Sequence, residues 1–229
     1  MKKEELIVID IETASAFSDF DSMDFQWQEL WVEKNKRQFI DIGDASSFYQ
    51  QRAGVMAEFG KIICICIGYF ISEADEKMTT KLFFGHDEKS LLNDFLLLLK
   101  KLQKKKIVFA GHNIREFDLP FICRRLLINK IIIPEFLNIQ NTKPWDNIML
   151  DTFQYWRFGD YKNYTSLKLL AKVLDIPSSK DDIDGSMVGA LYWESDVIQQ
   201  ERNMMKIAEY CQKDVEASVA ILFRLLNVN

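Results

Sequence analysis

The alternation of apolar and polar residues along the chain predicts five β-strands. The first, residues 6–13, has apolar side chains on both faces, which is typical of a central strand that is covered on both sides. Residues 62–71 and 78–85 have two further strand patterns with an acidic turn between them, and this pair predicts a hairpin. Two shorter strands are expected at residues 107–110 and 147–151.

Helical periodicity follows the hairpin and separates the shorter strands. The pattern predicts helices at residues 88–102, 116–128, about 166–174, about 184–193 and 196–226. This order of strands and helices indicates an α/β domain with a mixed sheet. Residues 20–59 have a weaker helical pattern, and we interpret them as an insertion between the first two strands.

The composition fits one globular domain. The 229 residues are 48% apolar, and only 9 Gly and 4 Pro argue against long flexible linkers. We therefore expect a single domain over residues 1–229, with the insertion at about 20–59. The longest apolar run is far shorter than the ~20 residues that span a bilayer, so no membrane partner is expected.

The four cysteines favour a cytoplasmic protein with reduced thiols. No CxxC pair occurs, and Cys64 and Cys66 fall on one face of a predicted strand, where small buried side chains pack well. Disulfides are rare in the cytoplasm, where thiols are kept reduced. Because the chain has only two histidines, a zinc site built from His and Cys is not expected.

The net charge, taken alone, argues against a protein that binds duplex DNA on a basic surface. The chain has 29 Lys and Arg against 34 Asp and Glu, a formal net charge of −5. Binding to the phosphates of a duplex normally needs an excess of positive charge. Whether this charge disfavours contact with nucleic acid depends on where the acidic residues lie.

Two acids stand at the end of the first predicted strand. Asp10 and Glu12 are two residues apart, so on a strand both carboxylates point to the same face. Two buried carboxylates this close repel each other unless a cation lies between them. Oxygen ligands favour Mg²⁺ or Mn²⁺, although a solvated strand end with two salt-bridged acids has the same pattern.

Two further polar patterns lie at or on predicted helices. Asn113 and Asp118 follow the strand 107–110 and lead into a helix, where Asp118 would also favour the helix dipole. Tyr210 and Asp214 are four residues apart on the last helix and so share a face. Each pattern alone also fits a structural role, namely a turn at Asn113 and a solvated surface pair on the last helix.

Together the three patterns resemble the exonuclease motifs of the DEDDy superfamily. The patterns DxET from Asp10, N-x4-D from Asn113 and Y-x3-D from Tyr210 occur in the order of that family, each in the expected element. The run FDLPFI is similar to the version in family B DNA polymerases. The runs AEFGKIICICIGYF and KDDIDGSMV resemble stand-alone bacterial exonucleases related to the polymerase proofreading domain, and the likeness covers about residues 5–225.

The resemblance implies a fold, an activity and a set of site residues. The expected fold is RNase H-like, a three-layer α/β structure with a central mixed five-stranded sheet flanked by helices. The expected activity is 3′→5′ exonucleolytic hydrolysis of phosphodiester bonds with two divalent cations, Mg²⁺ or Mn²⁺. Asp10, Glu12, Asp118 and Asp214 match the four metal-binding acids, and Tyr210 matches the tyrosine that orients the attacking water.

Three further residues are expected to contact the substrate. The resemblance assigns Thr13 and Asn113 to the positioning of the 3′-terminal nucleotide. Phe17 follows the first motif, where its ring would either stack on the terminal base or pack in the core. Because the motifs are closest to the polymerase version, the favoured partner is the nucleic acid 3′ end of single-stranded DNA.

Two alternative functions remain open. An RNase D-like 3′→5′ exoribonuclease would have the same acids and differ in contacts to the 2′-OH. A catalytically silent module that binds nucleic acid or a partner would be favoured by the loss of an acid, and none is missing. Assigning four acids to bound cations leaves a nearly neutral balance, which fits a cleft that holds a few nucleotides of a strand end.

Overall fold

Five strands form the centre of the molecule. The computed structural model describes residues 2–38, 44–103, 107–140, 149–177 and 183–227. The strands are β1 (Leu6–Ser15), β2 (Gly60–Tyr69), β3 (Thr79–Phe84), β4 (Val108–Gly111) and β5 (Met149–Asp151). Each overlaps a strand predicted from the sequence, and residues 147 and 148 of the last prediction lie outside the described residues.

The strands pair in the order β3-β2-β1-β4-β5. Strand β2 is antiparallel to both of its neighbours, β1 and β3, which confirms the predicted hairpin, whereas β4 and β5 run parallel to β1. The central position of β1 explains why it is apolar on both faces. The expectation of a mixed five-stranded sheet flanked by helices is therefore confirmed.

Helices cover both faces of this sheet. Within the described residues they are α1 (Phe25–Asn35), α2 (Ala45–Arg52), α3 (Glu88–Leu102), α4 (Asp118–Ile128), α5 (Thr152–Arg157), α6 (Leu167–Val173), α7 (Val188–Tyr192) and α8 (Val197–Leu225). Helix α3 has the predicted bounds, and α4, α6 and α8 differ from prediction by two residues at most. None of the helices in these ranges is long and apolar enough to cross a lipid bilayer.

Two of the helices differ more from the prediction. Helix α7 begins four residues later than expected because Asp184 accepts a hydrogen bond from the backbone N–H of Ser186 and forms a turn there (2.9 Å). Helix α5 is not predicted at all. It begins directly after β5 and has only six residues, too few for the helical period to appear in the sequence.

The alternation of residues on β1 separates two hydrophobic layers. Ile7, Ile9 and Ile11 pack with apolar side chains of α3 and α4, whereas Leu6 and Val8 pack with those of α7 and α8. Full burial of such a side chain contributes about 1.5–3 kcal/mol, so both layers hold the strand in one register. The period of two then places the acids that follow on the α8 side of the sheet.

A β-bulge interrupts the pairing of β1 with β2 beside the acidic pair. Glu12 pairs with Cys64, whereas Thr13 pairs with Ile62, so Ile63 is an extra residue on β2. As a result, Ile63 and Cys64 both pack in the layer on the α8 side. A bulge bends a strand and increases its twist locally, and bulges of this kind are common next to active sites.

The insertion packs through an aromatic cluster of its own. The ring of Trp31 on α1 lies 5.5 Å from Phe48, 5.1 Å from Tyr49 and 4.9 Å from Phe59. Asp24 and Asp44 accept backbone hydrogen bonds at the starts of α1 and α2, where they cap the orphan N–H groups. The part of the insertion that the structure describes is therefore a structured element beside β1.

Candidate active site

The first two acids lie side by side on β1 and face α8. The side chain of Asp10 is half-buried and that of Glu12 is buried. Beneath them, the thiol of Cys211 on α8 donates a hydrogen bond to the carbonyl oxygen of Asp10 (3.4 Å). This contact fixes the distance between the central strand and the last helix at the level of the acids.

The third acid enters from the opposite side of β1. Asp118 is the first residue of α4 and is only 3% exposed. Its Oδ1 atom accepts a hydrogen bond from the backbone N–H of Ile11, between the two strand acids (3.0 Å). A long-range contact therefore holds the start of α4 against the acidic end of the strand.

Tyr210 and Asp214 complete the group from α8. They are one helical turn apart, and the hydroxyl of Tyr210 donates a hydrogen bond to the Asp214 carboxylate. Burial is the main cause that raises the pKa of Tyr210, and the charges of Asp214 and Glu12 raise it further. The phenol therefore stays protonated and keeps its capacity to donate a hydrogen bond.

These five side chains line one cleft with a volume of about 380 Å³. Strand β1 supplies two of them, the start of α4 one and α8 two. Further lining comes from the loop before α6, from the first turn of α6 and from the segment before α7, with the residues Tyr164, Ser166, Leu167, Lys168, Ile183, Asp184 and Gly185. The structure thus brings together all the residues that the three sequence motifs single out for chemistry.

The acids in this cleft disfavour one another's charged forms. Burial is the first cause that raises the pKa of Asp10, followed by the charges of Glu12, Asp118 and Asp214. The pKa of Glu12 is raised by burial and then by Asp214. Burial raises the pKa of Asp118 to about 7, and the nearby Asp151 adds to this effect.

The donor set of the cleft fits divalent cations. The Oδ2 atom of Asp10 is buried and has no hydrogen-bond partner among the described residues, which is costly for a carboxylate oxygen. One donor atom each of Asp10, Glu12 and Cys211 lie within 4.8 Å of one another. Carboxylate oxygens around such a point suit Mg²⁺ or Mn²⁺, whose charge would offset the repulsion between the acids.

A buried aspartate outside the motifs positions the loop between β4 and α4. Asp151, at the end of β5, accepts hydrogen bonds from the backbone N–H groups of Asn113 (2.9 Å), Arg115 (3.0 Å) and Phe153 (3.0 Å). Asn113 has a positive φ of 63°, and its side-chain Oδ1 atom is buried without a partner in the described residues. Asn113 also lines the cleft, so the loop holds a polar side chain with an unsatisfied acceptor at the cleft wall.

His112 links this loop to the loop before α6. Its Nε2 atom donates to the carbonyl oxygen of Thr165 (2.9 Å), and its Nδ1 atom lies 2.9 Å from the hydroxyl of Thr152. Burial lowers the pKa of His112, so the neutral form is favoured. One side chain thereby connects the end of β4, the start of α5 and the loop that carries Tyr164.

A family comparison agrees with this architecture. Residues 53–226 match the model of a family described as the RNase H superfamily. The chain belongs to the RNase H superfamily. Among proteins with curated descriptions, none matches this chain.

A solved structure is similar to this RNase H superfamily member over almost its whole length. The family B DNA polymerase from the hyperthermophilic archaeon Pyrobaculum calidifontis superimposes with a TM-score of 0.62 at 13% sequence identity. The match covers 96% of this chain but only 24% of the polymerase chain. At this identity the likeness shows a shared fold.

Two predicted substrate-binding residues lie away from the lining of the cleft in this RNase H superfamily chain. Thr13 is partly exposed on β1 just beyond the bulge. Phe17 packs against the aromatic cluster of the insertion, with its ring 6.4 Å from that of Trp27. Of the three predicted substrate contacts, the structure puts only Asn113 in the cleft wall.

The cleft of this RNase H superfamily chain also contains or depends on residues that the motifs do not single out. They are His112, Asp151, Ser166, Lys168 and Asp184. A signal for Asp151 was present in the sequence, because it ends a predicted strand just as Asp10 does. The carboxyl ends of parallel strands lie at one edge of a sheet, so an acid at each end predicts proximity. No comparable signal exists for Ser166 or Lys168.

Proposed function

We propose that this chain is a 3′→5′ exonuclease of the DEDDy type that removes nucleotides from the 3′ end of single-stranded DNA. One observation carries the proposal: Asp10, Glu12, Asp118, Tyr210 and Asp214 come from three separate elements and line one cleft. A chance grouping of acids would lack the tyrosine one turn before the last acid. Membership of the RNase H superfamily supports a nuclease.

The acids have a defined task in this proposal. Asp10, Glu12, Asp118 and Asp214 would hold two divalent cations, which when bound supply positive charge to stabilise the attacking and departing oxygens. Burial and then the charges of neighbouring acids raise the pKa values of Asp10 and Glu12, and a bound cation would relieve the repulsion between these charges. The Oδ2 atom of Asp10 has no hydrogen-bond partner among the described residues, which leaves it available to bind a cation.

Tyr210 would orient the attacking water. Its hydroxyl already donates to Asp214, so its lone pairs remain available to accept a hydrogen bond from a water beside that acid. Because the pKa of the phenol is raised, Tyr210 would act through the neutral hydroxyl and would not remove the proton itself. Its role is therefore orientation.

The proposed substrate is a free strand end. A cleft of about 380 Å³ accommodates one or a few nucleotides, which is too little for a duplex. The unpaired amide oxygen of Asn113 would accept a hydrogen bond from the terminal nucleotide. The fold match to a DNA polymerase favours DNA over RNA as the first substrate to test, and we place the activity in the cytoplasm, where thiols stay reduced.

End-labelled oligonucleotides test this proposal directly. Single- and double-stranded DNA and RNA, each labelled at the 5′ end in one sample and at the 3′ end in another, are incubated with Mn²⁺ or Mg²⁺. We expect a ladder from the 5′-labelled DNA strand, immediate release of the 3′ label, and no reaction in EDTA. Asp214→Ala should abolish cleavage because it removes a proposed cation ligand.

Several results would reject parts of this proposal. Release of the 5′ label first would reverse the polarity, and faster cleavage of RNA than DNA would favour the exoribonuclease. Cleavage that resists EDTA, or full activity in Asp214→Ala, would reject the cation site. Binding of the oligonucleotides without any cleavage would favour a silent binding module.

A further inference from the structure

Exposed aromatic side chains concentrate in one short segment of the chain that ends at the cleft. They lie in or just after α5, where Phe158 is 87% exposed, Tyr161 74% and Tyr164 64%. Isolated exposed rings are ordinary, but several rings in one short segment form a patch that usually contacts a partner. We call Phe158, Tyr161 and Tyr164 the aromatic platform.

Two rings of the aromatic platform, Tyr164 and Tyr161, are linked to each other at the cleft. Tyr164 lines the cleft, and its ring lies 5.0 Å from that of Phe153. The guanidinium of Arg157 stacks 3.9 Å over Phe153 and lies 5.4 Å from the ring of Tyr161. A row of contacting π-systems therefore connects Tyr164 at the cleft, through the buried ring of Phe153 and Arg157, with Tyr161 at the surface.

Arg157 is held in this row from the other side. Its Nη1 atom forms an ion pair of 3.0 Å with Glu116, in the loop that leads into α4. The side chain of Arg157 is mostly buried by these contacts, with 13% of its surface exposed. Because Arg157 is fixed between two rings, the row is preorganised, and binding would cost little side-chain entropy.

Phe158 occupies a backbone position that disfavours it. Its φ of 44° is left-handed, at the C-terminal cap of α5, where glycine is the usual residue. A left-handed non-glycine residue is sterically strained, and an exposed phenylalanine gains no burial that would offset this strain. A strained residue with an exposed ring is an observation that points to a role in binding.

We propose that the aromatic platform stacks the unpaired bases of the strand that leads into the cleft. This inference rests on the proposed nuclease function and extends it to the nucleotides upstream of the 3′ end. Ring faces stack on any base, and the exposed cations Lys162 and Lys168 lie in the same stretch of chain to meet phosphates. In a duplex the base faces are already stacked, so the platform selects single strands.

Length dependence of the kinetics tests the platform. We compare a labelled dinucleotide with a single-stranded oligodeoxynucleotide of about 12 nucleotides, measuring kcat and KM with Mn²⁺ and binding by fluorescence anisotropy. In the parent, the longer strand should have the lower KM. Phe158→Gly and Tyr161→Ala together should raise the KM of the longer strand by about tenfold or more and change kcat much less, because each lost stack costs about 1–3 kcal/mol.

Two controls separate binding from folding. Phe25→Ala removes a ring of matched exposure (73%) on α1, far from the platform in sequence, and should leave KM at the parent value. Phe158→Gly alone should have a Tm equal to or above that of the parent, since glycine adopts the left-handed conformation without strain. Tyr161→Trp keeps a stacking face and should therefore have the same KM as the parent.

The outcomes distinguish failure of the platform from failure of the nuclease. If the parent cleaves both substrates and the platform variants keep the parent KM, the platform is rejected and the nuclease stands. If the parent shows no cleavage, anisotropy with the longer strand still decides: no binding, or equal binding by the variants, rejects the platform. The platform would also be rejected if its variants lost as much affinity for duplex DNA as for single-stranded DNA.

Discussion

Tyr210 is the residue that tests the chemistry of the cleft without removing a proposed cation ligand. Its hydroxyl donates to Asp214, and its raised pKa keeps it protonated. The four acids lie so close that any change among them alters cation binding and electrostatic repulsion together. A substitution at Tyr210 that removes only the oxygen therefore isolates the orientation of the water.

Tyr210→Phe should lower kcat by about 10²-fold, because the attacking water would no longer be held in position, while KM changes little. Mn²⁺ affinity measured by calorimetry should equal that of the parent. Tyr192→Phe is the matched control, because that hydroxyl lies 3.1 Å from His86 Nδ1 and Tyr192 does not line the cleft. A kcat for Tyr210→Phe equal to the parent value would exclude the water-orienting role.

Individual site residues differ in how far the sequence predicts them. Asp10 and Glu12 are predictable because residues two apart on a strand point to the same face of the sheet. Tyr210 and Asp214 are predictable because residues four apart on a helix lie on the same helix face. The geometry of Asn113 depends on a hydrogen bond to Asp151, 38 residues further along the chain. Phe17 joins the insertion cluster because Trp27 is near it in space, which no local pattern indicates.

At the scale of elements, Asp151 has two structural functions in one side chain. It caps α5 by accepting a hydrogen bond from the N–H of Phe153. It also accepts a hydrogen bond from the N–H of Asn113 and so holds the loop between β4 and α4. We expect Asp151→Asn to lower the unfolding free energy by about 1–3 kcal/mol, because one amide cannot accept on both of its side-chain atoms. The KM for the 3′ end should rise, as the loop that presents Asn113 loosens.

Asp196→Asn is the control for this prediction. Asp196 caps α8 through the N–H of Gln199 (2.8 Å), and its side chain holds no second loop among the residues that the structure describes. Asparagine is as good a helix cap as aspartate, so this variant should keep the parent Tm and KM. Thermal unfolding and steady-state kinetics measure both effects, and equal behaviour of the two variants would show that Asp151 is only a cap.

Elements with a long periodic pattern are predictable, and those set by contacts across the sheet are not. Helix α3 shows its bounds in the sequence because an apolar stripe follows a capping aspartate, Asp87. The bulge at Ile63 results from pairing of β1 with β2 and leaves no local signature. Helix α5 is set by Asp151 and by packing of Phe153, and its six residues are too few for a period.

At the scale of the whole molecule, the fold concentrates negative charge at one point. The acids arrive from β1, α4 and α8, elements whose own hydrophobic contacts hold them in place. Burial and mutual repulsion raise the pKa values of Asp10, Glu12 and Asp118. The folded, metal-free protein therefore binds protons that the unfolded chain releases, and stability is coupled both to pH and to cations.

The free energy of unfolding of the metal-free protein should therefore fall as pH rises from about 4 to about 7. In this window the folded state binds more protons than the unfolded state, since the pKa of Asp118 is about 7 when folded and about 3.9 when unfolded. Each unit of difference is worth about 1.4 kcal/mol. Asp118→Asn should flatten the slope, whereas Glu33→Gln, on the exposed surface of α1, should not.

Divalent cations should restore the stability that the metal-free protein loses as pH rises. Mn²⁺ binds the ionised acids of the folded state, so the rise in Tm at a fixed Mn²⁺ concentration should be larger near pH 8 than near pH 5. Because the ligands come from three elements, a bound cation would cross-link β1, the start of α4 and α8, and Asp214→Asn should reduce the rise. Thermal unfolding in EDTA and in Mn²⁺ measures both the rise in Tm and its reduction in Asp214→Asn. A metal-free Tm that climbs between about pH 5 and pH 7 would contradict the buried, mutually repelling acids on which the site depends.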